Sequence, residues 1–408
     1  MTATSDRLWN SNYLKAMTAN FMLYFAFYIL TPLLPLYLSD HFGATNDVIG
    51  IVLCGYTIAA LLFRPFSGFL VDSFDRKKTL VIFFAVFTSF FVGYLAAGTL
   101  LMFAIVRTLH GVPFGAITVA NTTVAIDVLP PSRRNEGIGY YGLSNNIAMA
   151  IAPTIGLYIY HLTGDFSLIF WIALFMAALG TVSAASIKTK PREKVVGKQK
   201  ISLDRFFLLR AWMMAVNIAL FGFCFGVLSN YIAIYGKEDL GITGGTGTYF
   251  MLLSIGLFLS RLQGAGALRE GHLTHNAAEG MVLSLAGYVI FASLGFFGGG
   301  NVMAALYYLS ALLIGLGNGH MYPAFLNMFN KVASHNERGT ANSSILISWD
   351  GGMGIGIILG GAVSEYFGYT PAFWMVAMVN AAGVALFFAA TRRFFLARYN
   401  RQENGKVD

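Results

Sequence analysis

Of the ionisable side chains inside the long apolar stretches of this chain, three stand out by their depth: Arg107, Asp350 and His320. Each could hold an ion or pass a proton. Arg107 opens the run Arg107-Thr108-Leu109-His110-Gly111-Val112-Pro113-Phe114-Gly115. A charge in that setting costs roughly 2.5–3.5 kcal/mol even on the mildest insertion scale, so it faces a wet cavity or a partner. The competing reading is a side chain that snorkels out of a segment whose end lies about two turns away. Asp350 lies in Ser348-Trp349-Asp350-Gly351-Gly352-Met353-Gly354 and is the deepest acid of the chain. Apolar surroundings favour the neutral form of a carboxyl group, so proton uptake and release is the chemistry its place suits. The alternative is a structural acid bonded to backbone or to a buried base. His320, in Gly317-Asn318-Gly319-His320-Met321-Tyr322-Pro323, reads equally as a proton relay or solute contact and as a packed polar residue.

The elements that must position these groups are membrane helices. Only 11% of the 408 residues are charged, 56% are hydrophobic and mean hydropathy is +0.64, whereas soluble domains carry about 25% charge. The 45 glycines fit helices that approach one another closely. A crossing needs roughly 20 mostly apolar residues. Twelve runs qualify, near 14–38, 48–71, 79–98, 100–128, 137–160, 166–187, 208–235, 246–268, 277–298, 302–329, 340–364 and 371–391. The first lacks a small-residue cleavage pattern and is expected to stay as an uncleaved span. Cys54 and Cys224 both fall inside apolar runs, so no disulfide is expected.

Lysine and arginine mark the two sides. Alternate loops hold Arg76, Lys77 and Lys78, then Arg133 and Arg134, then Lys331 and Arg338, while the other set holds only Lys237. The positive-inside rule then places both termini in the cytoplasm of a cell (inner) membrane. The net charge of +8 is thereby a signal of orientation, and no nucleic-acid partner is expected. The polar stretch 188–207 divides the spans six and six. The expected domains are a bundle over 1–187, a linker over 188–207, a second bundle over 208–395 and a tail over 396–408. Two related six-helix halves are a plan found in transporters.

The loop after the second run reads Gly68-Phe69-Leu70-Val71-Asp72-Ser73-Phe74-Asp75-Arg76-Lys77-Lys78. Here the chain resembles the major facilitator superfamily, whose signature between these spans is a glycine, an acid four residues on and a basic cluster. Gly68, Asp72, Arg76 and Lys77 match; Asp75 stands where the family has glycine. The resemblance implies an inner gate in which Arg76 pairs with Asp127. The Arg107 segment is similar to the family's motif in proton-coupled members, with His110 replacing glutamine. Ala148–Gly156, with Pro153, partly resembles the motif of its drug/proton antiporters. The matching loop of the second half, Arg261–Gly271, lacks the expected acid. The resemblance also implies a cavity lined by spans one, four, seven and ten, with Tyr24, Tyr28, His110, Asn121, Asn217, Phe221, Tyr322 and Trp349 as substrate contacts.

No metal-protease, nucleophile-elbow, phosphate-loop or zinc spacing occurs, so an enzyme, a cofactor and a metal are not expected. No repeated filter argues for a channel. The expected molecule is an all-α, twelve-helix monomer of major facilitator fold. It moves a small amphipathic or aromatic solute by alternating access, exported against protons that Asp350, Arg107 and His320 couple. Proton-linked nutrient uptake and a non-transporting sensor on the same fold are the alternatives.

Overall fold

The computed structural model describes residues 7–130, 133–189, 207–242, 245–269, 272–297, 299–333 and 338–403. The linker residues 190–206 and the end of the tail lie outside them. Fourteen α-helices follow in order: α1 (Ser11–Tyr28), α2 (Leu34–Phe42), α3 (Asn46–Ser73), α4 (Arg76–Ala96), α5 (Leu100–Asp127), α6 (Arg134–Thr163), α7 (Phe166–Ala185), α8 (Trp212–Glu238), α9 (Thr246–Arg269), α10 (Leu273–Ser293), α11 (Asn301–Val332), α12 (Arg338–Phe367), α13 (Tyr369–Leu386) and α14 (Arg392–Glu403). No strand occurs among the described residues. All backbone pairing is thus internal to each segment, as lipid demands.

The twelve expected runs fall on helices, nine of which among the described residues are long and apolar enough to cross a membrane, and two runs depart from the expected outline. The first is broken. α1 ends at Tyr28 and α2 restarts at Leu34, joined by turns in which the Leu33 and Leu34 amides both donate to Leu30 O at 2.9 Å. Pro35 falls in the first turn of α2, where a missing N–H costs nothing. The last crossing does not stop. α13 passes through a π-helical turn, Phe387–Thr391, directly into α14. The helix therefore continues to Glu403.

Polar caps set several starts. Asp75 accepts from Lys78 N at 2.8 Å and opens α4, which accounts for an acid where the family carries glycine. Thr99 caps α5 and Asp165 caps α7 in the same way. Apolar side chains such as Ile51, Leu62, Leu101, Phe175, Val182, Phe258 and Met378 point outward. A water-facing surface would not carry so many; a lipid-facing one needs them.

Two compact units form, Met1–Phe42 with Gly55–Lys200, and Gly43–Cys54 with Ile201–Asp408. The first turns of α3 thus belong with the second unit. There the Asn46 amide donates to Glu365 Oε2 at 2.8 Å, Tyr369 donates to Asn46 Oδ1 at 2.9 Å and Tyr231 donates to Ile357 O at 2.9 Å. In the first unit Phe84, Phe87, Phe91, Tyr94 and Phe103 form a fully buried aromatic core. In the second, helices cross at glycine. A Cβ on Gly280 of α10 would lie 2.5 Å from Gly317 O of α11, so only glycine permits this approach.

Candidate functional site

The first unit buries a positive charge among aromatic rings. Arg107 and His110, three residues apart, share one face of α5 and are 5% and 1% exposed. Arg107 Nη1 donates to Tyr94 Oη of α4 at 3.3 Å, and its guanidinium carbon lies 4.0 Å from the ring centre of Tyr56 on α3. That is cation–π range. Tyr94 Oη lies 2.8 Å from His110 Nδ1. Tyr94 Oη accepts from Arg107 and also pairs with His110 Nδ1, so one phenol bridges the two side chains. Phe87 and Phe91 close over the imidazole, with ring centres 4.3 and 4.9 Å away. Arg107 Nε and Tyr56 Oη have no hydrogen-bond partner. Arg107 thus does not snorkel; it turns inward.

An aromatic wall extends from this cluster. Tyr56 packs on Phe27 and Phe114, Phe27 stacks on Phe114 with ring centres 4.9 Å apart, and Tyr24 meets both Phe114 and Tyr28. Tyr24, Phe27 and Tyr28 are half-buried. Asn121, on the same helix as Arg107, is fully buried and its amide reaches Ala16 O at 3.4 Å.

In the second unit, Trp349 and Tyr322 meet edge to face with centres 5.5 Å apart, and Phe225 packs on Trp349. Asp350 follows on α12 and is half-buried. His320 is buried, and Nδ1 lies 2.8 Å from Asn276 Oδ1, while Asn276 Nδ2 donates back to His320 O at 3.1 Å. His320 Nε2 has no partner. Asn217 is fully buried; its amide donates to Gly383 O at 2.7 Å and its carbonyl oxygen accepts from the Thr391 hydroxyl. Phe221 is also enclosed within the core of this unit. Asn217 and Phe221 therefore join helices of one unit.

At the end of the first unit that carries the basic loop, Arg76 Nη1 contacts both oxygens of Asp127, at 2.6 and 2.7 Å. Lys77 follows in the first turn of α4. Gly68 and Asp72 lie on α3, and their side chains are outside the described residues.

Sequence reasoning named Arg107 and His110 but missed Tyr56, Tyr94 and Asn276, which hold the charge and the imidazoles. The available signal was periodicity: residues at i and i+3 on α5 demand a shared partner on a neighbouring helix. α3 and α4 carry one tyrosine each, Tyr56 and Tyr94, but nothing in the sequence said that these two helices pack against the Arg107 face of α5.

The family model described as Major Facilitator Superfamily matches residues 16–273 and 274–404. Among curated proteins, the "Staphylopine export protein" of Staphylococcus aureus is 25% identical over 378 residues, covering 89% of this chain and 91% of that protein. The "Quinolone resistance protein NorA" of the same organism is 22% identical over 250 residues, covering 58% of this chain and 64% of that one. Among solved structures, nucleoside transporter NupG superposes with a TM-score of 0.77 at 15% identity, over 93% of this chain and 99% of that one. The peptide transporter PepTSo does so with a TM-score of 0.78 at 11% identity, over 95% and 99%. These structural likenesses concern the fold.

Proposed function

The chain belongs to the Major Facilitator Superfamily, and from that premise we propose that it exports a small amphipathic or aromatic solute by alternating access, driven by inward movement of protons. The observation that carries the reading is the inward-turned Arg107, buried in a membrane helix on the face of Tyr56. Such a charge is costly in a span and is kept for ligand or ion work. Asp350, half-buried on α12, is the proton carrier, and His320, with Nε2 lacking a partner, stands as a relay. The half-buried aromatic wall of Tyr24, Tyr28 and Phe27 suits a flat or apolar solute body, and Tyr322 with Trp349 offers a second such surface. Arg76 and Asp127, with Gly68, Asp72 and Lys77, form the inner gate. The molecule sits in the cell (inner) membrane with both termini on the cytoplasmic side, where its basic loops lie. Relatives named as an export protein and a resistance protein support the outward direction.

The test is flux in proteoliposomes under an imposed pH gradient, for wild type and Asp350→Asn. Wild type should move solute against the proton gradient. Asp350→Asn should retain exchange down a solute gradient but lose the response to pH. A variant that follows the gradient as wild type does refutes the carrier assignment.

A further inference from the structure

Around Arg107 the first unit buries a formal positive charge with an N–H that finds no acceptor. Arg107 gives one N–H to Tyr94 Oη, which also pairs with His110 Nδ1. Arg107 Nε and the Tyr56 hydroxyl remain without acceptors. Among the described residues no carboxylate forms an ion pair with Arg107. Besides the Tyr94 hydroxyl, its guanidinium faces the π face of Tyr56, 4.0 Å away. Buried polar groups are normally satisfied, and a buried charge is normally paired.

We infer that Arg107 and Tyr56 together seat the negatively charged group of the transported solute, which makes the substrate class amphipathic organic anions bearing a carboxylate. The inference rests on the transport reading above and deepens it. A carboxylate has two acceptor oxygens, enough to take a guanidinium N–H and the Tyr56 O–H at once. The wall that continues through Phe27, Phe114, Tyr24 and Tyr28 accepts the apolar body of the same molecule. A cationic solute meets the repulsion of Arg107. A neutral amide leaves the charge where it was.

The test compares matched pairs that differ only in charge: benzoate against benzamide, phenylacetate against phenylacetamide, and decanoate against decanamide. Binding to purified full-length protein is read by calorimetry and by thermal shift. At least one acid should bind about tenfold or more tightly than its amide, a difference of about 1.4 kcal/mol. Arg107→Gln should erase that ratio. Tyr56→Phe, which removes a hydroxyl and keeps the ring, should reduce it without unfolding the protein. Amides that bind as well as the acids, a ratio that survives both substitutions, or no binding by any acid overturns the inference. The transport reading is judged separately by gradient-driven flux. Acid-selective binding without flux sinks that reading and leaves the anion seat standing; flux without acid selectivity does the reverse.

Discussion

Replacing Gly280 with alanine tests the packing argument at its tightest point. The new Cβ would lie 2.5 Å from Gly317 O, 2.6 Å from Met321 N and 2.9 Å from the His320 Cβ. Ordinary contact begins at 3.4 Å, so α10 and α11 must part by about 0.9 Å, the difference between 3.4 and 2.5 Å. Backbone atoms are the obstacle, and no side-chain rotation relieves them. The two hydrogen bonds between Asn276 and His320, at 2.8 and 3.1 Å, span the same crossing. Lengthened by that amount they pass beyond useful range. Overpacking costs about 1–3 kcal/mol, each lost bond about 1 kcal/mol, and the better helix propensity of alanine returns about 0.5–1 kcal/mol. The net expectation is a loss of roughly 2–4 kcal/mol. Reversible unfolding in mixed detergent micelles would measure it. A double-mutant cycle with Asn276→Ala adds a sharper criterion, because Gly280→Ala already breaks what Asn276→Ala removes. The two losses should therefore fall short of additive. A Gly280→Ala protein within about 0.5 kcal/mol of wild type, or strictly additive losses, refutes the reasoning.

Arg76→Gln should change stability by less than about 1 kcal/mol, because an ion pair with Asp127 35% exposed is largely screened. The same substitution should raise solute leak through liposomes, so a stable but leaky protein is the expected result and a tight one argues against the gate. Asp239, just past the end of α8, has its carboxyl held above the usual 3.8 by burial. Both folded and unfolded forms are protonated well below that value, and burial then exacts no penalty. As pH rises past 3.8 the unfolded chain ionises first, so the acid increasingly disfavours the folded state. Asp239→Asn should therefore melt higher than wild type near pH 7 and equal to it near pH 3; the opposite order of melting temperatures contradicts the sign.

The helices were legible in the sequence because lipid imposes one solution on a long apolar run. Two details escaped for local reasons. Leu33-Leu34-Pro35 reads as continuous apolar sequence, yet the proline opens a new helix instead of ending the old one. At the other end Arg392 and Arg393 read as the edge of the membrane, although nothing in them stops a helix, and α14 continues to Glu403. At the site, Arg107 and His110 were visible as misfits in oil. Tyr56 and Tyr94 were not, since tyrosine is ordinary in a membrane helix and becomes notable only when a guanidinium lies on its ring. Asn217 was expected to be a cavity residue because the family resemblance places the seventh span along the cavity. Its bonds to Gly383 and Thr391 satisfy it within one unit, a difference only packing reveals.

Arg107 and Asp350 are both ionisable groups in spans, but their surroundings suit different work. A proton carrier has to meet water, and Asp350 is half-buried. A seat for charge gains from dryness, and Arg107 is 5% exposed. Two charges 4 Å apart attract by about 1 kcal/mol in water and about 4 kcal/mol at an effective dielectric of 20. Dryness also shields such a contact from added salt, since screening acts mainly on exposed charges over a Debye length of about 10 Å at 0.1 M. The acid-over-amide preference of the purified protein should therefore stay within about twofold between roughly 0.05 and 0.5 M sodium chloride. If it arose instead from the basic loops around Arg76 or Arg133, it would collapse over that range. A preference that vanishes with salt thus removes the anion from Arg107 and assigns it to the surface.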